Sequence, residues 1–302
     1  MFFTILPTVE LVFYLYATVS EGYSLAFFAT VAYNFQWQKE DHALDKRKVI
    51  YYEDELNDEF SQAVLERPVI DGNYQYFNDS FFGRISHLFW YRIIAMPLAF
   101  AYTKLAFSHK IIGGNAMKPY RKTGCFMYGN HTQDIGDALM PNMIEKKKDK
   151  YFIVNPENLN VPIVGKVTKQ LGALPLPTGL RAYKNFLAAI KKRIDEGAAI
   201  VIYPEAHIWP YYTKIRPFPD TSFVYPVKHA APVFCFTNTY VKRKFSRRPK
   251  IVTYVDGPFF PDSTLPTREA QKKLRDEVYE KMCERSSLST VRVIEYVKKE
   301  IL

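Results

Sequence analysis

Short, wholly apolar runs alternate along this chain with longer amphipathic stretches, and several of the runs stop abruptly at a polar cluster. Cys125-Phe126-Met127-Tyr128 is apolar at consecutive positions, as a strand covered on both faces would be. The runs at 151–154, 198–202, 234–237 and 251–255 read the same way. Between them, Phe186, Leu187, Ile190 and Ile194 fall at helical spacing within 181–196, and Gly197 follows as a stop. Residues 161–172 suggest another helix closing near Gly172, and 138–144 the first turns of one. The stretches 46–67 and 267–301 suggest a surface helix and a pair of amphipathic helices. Such alternation predicts an α/β domain, a mixed, largely parallel sheet flanked by helices.

Two apolar stretches precede that domain. Residues 1–37 are interrupted by Glu10 and Glu21 and so lack the unbroken run of about 20 apolar residues expected of a spanning helix. A spanning helix and a shallow hairpin both remain open there. The absence of a basic leader and small-residue cleavage site argues against a cleaved signal. Lys46-Arg47-Lys48 would put that side in the cytoplasm if the segment spans. In the second stretch, Leu88 to Tyr102, Arg92 and Pro97 disfavour an ordinary span. A kinked interfacial helix fits, with Trp90, Tyr91 and Tyr102 at headgroup depth and Arg92 snorkelling; so does a helix buried on the sheet. The expected division is a membrane-associating helical region over 1–110 and the α/β domain with C-terminal helices over 111–302.

The polar cluster after the run at 125–128 is Gly129-Asn130-His131-Thr132-Gln133-Asp134-Ile135-Gly136-Asp137. Open α/β sheets bind ligands at the carboxyl ends of their strands. A histidine held there by a carboxylate can act as a general base. Helix capping by Asp134 or Asn130 would explain the same pattern. A second cluster, Tyr203-Pro204-Glu205-Ala206-His207, follows the run at 198–202, and two such junctions are harder to explain by capping.

These two clusters resemble the first and third motifs of the glycerolipid (lysophosphatidate-type) acyltransferase family, over residues 84–256. That family carries an Asn-His pair with an aspartate after four intervening residues, then a Phe-Pro-Glu-Gly-Thr-Arg block. Asn130-His131 and Tyr203-Pro204-Glu205 match directly, and Ala231-Pro232-Val233-Phe234 is similar to the fourth block. The departures are specific. Gly136 stands where the aspartate belongs; Asp137 is favoured as its replacement, with Gly136 lending backbone freedom, and Asp134 as a helix cap. Ala206 and His207 replace glycine and threonine, and the phosphate-binding arginine is missing. Lys214 and Arg216 are the nearest substitutes, and Arg181 the nearest arginine to the loosely matched second block at 172–177.

The resemblance implies that His131 is the base, Asp137 orients it and Glu205 positions the acceptor. It also makes Asn130, Asp134, Arg181, His207, Lys214 and Arg216 the candidates for substrate binding. An acyl thioester is already activated, so no cofactor is implied; acyl-coenzyme A and an acyl carrier protein are alternative donors. The acceptor would be the free hydroxyl of a lysophospholipid, foremost 1-acylglycerol 3-phosphate, met at the cytoplasmic face of the cell membrane. Another hydroxyl acceptor, or a non-catalytic lipid-binding protein, are the alternatives.

Composition narrows the partners. A formal net charge of +10 fits nucleic acid or anionic lipid, and 23 Phe and 22 Tyr without a nucleic-acid motif favour lipid. The basic run 242–250 reads as a solvated hairpin tip, or as a contact for anionic lipid or a nucleotide-bearing thioester carrier. Cys125, Cys235 and Cys283 are scattered and read as reduced, buried small side chains. No close histidine or cysteine pairing suggests a metal, and no glycine-rich phosphate loop is present.

Overall fold

The wholly apolar runs form the centre of a seven-stranded sheet. The computed structural model describes residues 48–299 apart from 61–65, 79, 162–163, 245 and 247. The apolar runs expected within 1–37, and the basic residues that follow them up to Arg47, lie outside the described residues. The strands are β1 (Lys48–Tyr52), β2 (Lys110–Ile112), β3 (Cys125–Gly129), β4 (Lys150–Val154), β5 (Ala173–Pro175), β6 (Ala199–Ile202), β7 (Val233–Val241), β8 (Lys250–Phe259) and β9 (Ile294–Lys298). The large sheet has the order β2-β8-β7-β3-β6-β4-β5. From β7 to β5 all neighbours are parallel; β8 runs antiparallel to β7 and carries β2 parallel to itself. The sheet is thus mixed and largely parallel, as the alternation predicts.

Both faces of the central strands are covered, which is why they are apolar without interruption. Phe126, Tyr128, Ile200 and Ile202 point into one core, with Phe186 and Ile190 of helix α4 (Leu180–Asp195) and Leu274 and Val278 of α5 (Thr267–Ser286). Cys125, Met127, Ala199 and Val201 point into the other, against Phe234, Phe236 and Met117. The period-two alternation of side chains across a strand separates the two sets. Ahead of the sheet, α1 (Phe81–His87), a π-helical segment (Leu88–Ala95) and α2 (Met96–Phe107) follow without a break. Their inner face buries Tyr91, Ala99, Thr103, Ala106 and Phe107. Arg92 does not snorkel: it pairs with Asp149 and donates to the carbonyls of Lys146 and Lys147.

Two further expectations are corrected at the ends of the described chain. Residues 48–52 form a strand and not a surface helix, and residues 294–298 a strand instead of a second C-terminal helix. The two pair in parallel, Lys48 opposite Ile294. Alternating Val, Ile and Tyr suits such a pairing, and the partner lies some 240 positions away, beyond the reach of local pattern. The helix expected over 161–172 is represented by a single 3-10 turn, Val164–Val167.

At the opposite end of β4 from the polar clusters, Lys148 and Lys150 are buried. The Lys148 ammonium donates to the carbonyls of Tyr120, Thr123 and Gly197, and that of Lys150 to those of Glu145 (2.6 Å) and Lys148 (2.9 Å). Burial lowers the pKa of Lys150 to about 7. Between that value and the ordinary lysine value the unfolded chain binds the extra proton, so the cost of burying Lys150 falls, and stability rises, as pH increases above about 7. Urea midpoints of wild type and Lys150→Met, measured at about pH 7 and about pH 8.5, should show wild type gaining on the variant at the higher pH.

Candidate active site

β3 and β6 are parallel neighbours with Tyr128 opposite Ile202, so the loops leaving them face each other. β7 flanks β3 on its other side, with Gly129 opposite Phe236. Gly129 is required by close approach: a Cβ there would lie 2.2 Å from the Phe236 ring. The buried Asn130 side chain then donates to the Asn238 carbonyl (3.0 Å) and accepts the Asn238 N–H (2.8 Å). It makes the two bonds that a strand backbone would have made, leaving its own backbone to turn toward the site. Asn130 is therefore a structural tie to β7 and not a substrate ligand.

His131 is fixed from four directions. Its N–H donates to Glu205 Oε2 (2.9 Å), its carbonyl accepts the Trp209 N–H (3.1 Å), and its ring stacks on Tyr203 at 4.5 Å. Nδ1 lies 2.8 Å from Asp137 Oδ2. An ionised carboxylate only accepts, so Nδ1 carries the proton and Nε2 is the nitrogen left for substrate. The same Asp137 oxygen accepts the N–H groups of Thr132 (2.8 Å) and Gln133 (2.9 Å). The loop wraps around its own carboxylate, which absorbs the extra residue between His131 and Asp137. Gly136 allows this by lacking a side chain, since a Cβ there would lie 2.8 Å from Gln133 and from Met140. Burial raises the Asp137 pKa, while the His131 ring and the two backbone N–H groups pull against it.

Asp134 does not cap the helix. The short α3 (Gly136–Leu139) has Ile135 at its cap position and no side-chain cap. Asp134 lines the cavity beside His131 instead, its pKa raised by burial and then by Asp137. Glu205 also differs from expectation. Its carboxylate is buried, with one oxygen on the His131 N–H and the other on the Arg216 N–H (2.9 Å). It holds the His131 backbone, and both of its oxygens are taken. Burial raises its pKa, and the Arg216 charge opposes this.

Arg216 is 0% exposed. Its guanidinium donates to the carbonyls of Glu55 (3.3 Å), Glu205 (3.2 Å) and His207, pairs with Glu205 and lies over the Trp209 ring. A group so engaged cannot also bind phosphate, which removes Arg216 from the substrate ligands. His207 turns to Glu59 (3.1 Å) at the surface, and Lys214 and Arg181 are exposed and off the cavity wall. Ala206, at the family's glycine position, adopts φ 63°. That left-handed conformation costs a non-glycine residue about 1–2 kcal/mol.

The cavity itself measures about 740 Å³ and runs from His131 between the sheet and the helical segment that carries Tyr91, Ala95, Met96 and Ala99. Tyr91, Met96, Ala99, Leu139, Phe152 and Leu176 make it largely apolar. No lysine or arginine lines it among the described residues. Sequence reasoning passed over Tyr203 as a site residue, although its hydroxyl donates to the Asp137 carbonyl (2.6 Å). It also passed over Gln133 and Tyr240, which bond each other at 3.0 Å behind the loop. The polar run Thr237-Asn238-Thr239 inside an apolar strand was the available signal.

Arg216→Met would leave the Glu205 carboxylate buried without its cation, at a cost of about 3–5 kcal/mol. Thermal unfolding should show a large fall in Tm, while the acceptor KM of the folded fraction stays near that of wild type.

Residues 112–237 match the family model described as Acyltransferase. Among solved structures, the 1-acyl-sn-glycerophosphate (LPA) acyltransferase PlsC of Thermotoga maritima is similar at 17% identity and a TM-score of 0.48, covering 65% of this chain and 81% of that one. The Euglena gracilis mitochondrial ATP synthase gives 11% identity and a TM-score of 0.17, covering 67% and 65%. No curated protein matches the sequence. Both polar clusters and the strands that present them fall inside the matched segment.

Proposed function

We propose that this protein moves a fatty acyl group from a thioester to the free hydroxyl of a lysophospholipid. The observation that carries the reading is the His131–Asp137 pair, 2.8 Å apart, on the wall of a long apolar cavity. His131 Nε2 takes the proton of the hydroxyl as its oxygen attacks the thioester carbonyl. Asp137 stabilises the imidazolium that forms and fixes the tautomer that makes Nε2 the base. Collapse of the tetrahedral adduct breaks the carbon–sulfur bond, and the proton passes from Nε2 to the departing thiolate. The products are an ester and a free thiol, and no covalent enzyme intermediate is needed. The formed pair favours this enzyme over a lipid-binding protein on the same scaffold.

For the donor, acyl-coenzyme A and an acyl carrier protein remain the two candidates. For the acceptor, the family resemblance favours 1-acylglycerol 3-phosphate, giving phosphatidate. A second reading, an acceptor without a phosphomonoester, is favoured by the inward turn of Arg216 and by Asp134 on the cavity wall. The site of action is proposed to be the bilayer surface on the cytoplasmic side. On the outer face of the α1–α2 segment Phe81, Phe82 and Leu105 are 73%, 80% and 75% exposed, with Leu88, Phe89, Ile93 and Phe100 beside them. No helix among the described residues is long and apolar enough to cross a membrane. An apolar face of this kind, resting on lipid and backed by the cavity wall, would let an acyl chain enter from the side.

Acyl transfer in vesicles tests the chemistry, with both donors and a panel of lysophosphatidate, lysophosphatidylcholine and monoacylglycerol. His131→Ala should lower kcat by about 10²–10⁴ with the fold intact; an unchanged kcat would remove His131 as the base. Product from lysophosphatidate alone supports the first acceptor, and preference for the other two supports the second. For the surface, Phe82→Ser with Leu105→Ser should reduce flotation with anionic vesicles, and full retention would exclude this face as the contact.

A further inference from the structure

Behind the His131–Asp137 pair, a row of buried polar side chains crosses the sheet from its centre to its edge. Asn238 of β7 is 1% exposed and lies directly opposite Thr253 of β8. The Asn238 side-chain amide faces Asp137 Oδ1 through Nδ2 at 3.5 Å, while its Oδ1 accepts the Thr253 hydroxyl at 2.6 Å. Thr253 Oγ1 in turn lies 2.7 Å from Nε2 of His109, which immediately precedes β2 and is 2% exposed. A hydroxyl has one proton to give, and Thr253 gives it to Asn238. His109 must therefore donate from Nε2. The bonds all run one way: His109 to Thr253, Thr253 to Asn238, Asn238 to Asp137.

The direction has a consequence for the amide. Were Asn238 rotated to exchange its oxygen and nitrogen, an amide oxygen would face a carboxylate oxygen and the Thr253 hydroxyl would face an NH2 group. As long as His109 remains a donor, that rotation would leave the Thr253 hydroxyl proton without its acceptor. His109 stays neutral because burial, and then the Lys104 charge, depress its pKa to about 4. The Asn238 backbone N–H and carbonyl are taken by the Asn130 side chain, so one residue supports both the aspartate and the turn that launches His131. The other groups facing Asp137 are His131 and Asp134 of its own loop, Tyr203 after β6 and Tyr240 of β7.

We infer that Asn238 is a positioning residue for acyl transfer: its amide, held in one orientation by Thr253 and His109, aims the ionised Asp137 carboxylate at His131 Nδ1. The inference rests on the reading of His131 as the base. Asn238 touches neither substrate nor His131; it acts through Asp137, and the row that orients it reaches the sheet edge two strands away.

Thr253→Val removes only the hydroxyl, and Thr253→Ser restores it. The Val variant should lower kcat about tenfold with the KM for the thioester unchanged, and the Ser variant should stay within about twofold of wild type. Asn238→Asp sets a second carboxyl against Asp137. Two carboxyls sharing a site hold a proton to higher pH, so the acid limb of kcat/KM should move up by about one unit or more. Wild-type kcat in Thr253→Val, with only a lower Tm, would assign the row to stability and overturn the inference even if Asn238→Asp fails to fold. So would an unmoved acid limb in a folded Asn238→Asp. ¹⁵N NMR of histidine-labelled protein gives a readout independent of turnover. Wild type should show His131 protonated at Nδ1, and Thr253→Val should show a growing Nε2–H population; an unchanged tautomer overturns the inference. Should His131→Ala retain full activity, the base assignment fails by itself, and the tautomer measurement still decides whether Asn238 orients the pair.

Discussion

The site depends on one buried carboxylate. Glu205 sits where the loops after β3 and β6 meet, and its two oxygens take the N–H groups of His131 and Arg216. Burying a carboxylate is costly unless it is paired and hydrogen-bonded, and here the two loops together meet both conditions. Because the His131 backbone is fixed by Glu205 and Trp209, the side chain needs only its ring orientation set. Asp137 and Tyr203 supply that. The 203–216 loop has no regular secondary structure of its own and is held from outside. Glu55 and Asp58 accept from Arg216 and Trp209, Glu59 takes His207 and the Ile208 N–H, and Tyr52 and Tyr296 pack on the Trp209 ring. Those residues belong to β1, β9 and the chain just after β1, so the short parallel pair formed by distant segments bears on the position of His131.

Much of the sheet was legible in the sequence because its central strands are buried on both faces. Residues 125–128 and 198–202 carry no polar position that would admit another reading, and helix 180–195 shows its buried stripe at regular spacing. What was not legible is decided at long range. β1 and β9 are each a few residues of ordinary strand-forming sequence, and only their pairing makes them strands. The same distinction holds at the site. His131 and Asp137 lie on one loop, and the spacing gave their meeting a physical basis. The roles of Glu205, Asn130 and Arg216 turn on side chains from other loops and strands. A glutamate in a conspicuous motif reads as a ligand for substrate, whereas here it is a ligand for backbone.

Charge was the least transferable signal. A net charge of +10 pointed to an anionic partner, and Lys214 and Arg216 stood as candidates for an acceptor phosphate. The structure places three of the cations most removed from water elsewhere. Arg216 binds three carbonyls and Glu205, and Lys148 and Lys150 bind carbonyls at the far end of β4. A buried cation is tolerated where backbone oxygens surround it, and such sites occur wherever chain turns converge, irrespective of substrate. The cavity beside His131 meanwhile presents apolar walls and the Asp134 carboxyl. Net charge describes the surface as a whole and carries little information about one pocket.

The spacing of the histidine and the aspartate illustrates what a motif encodes. Five residues separate His131 from Asp137, where the family pattern has four, and yet the two atoms that must meet are 2.8 Å apart. Here the loop closes around the carboxylate, so that one oxygen takes the imidazole and two successive backbone N–H groups together. A loop one residue longer closes in the same way if some position within it has no Cβ to collide with the far side, and Gly136 is that position. A residue count is then a proxy for a geometry that several lengths can satisfy. The departure from the family pattern is accommodated by the glycine that accompanies it, because a Cβ there would meet Gln133 and Met140.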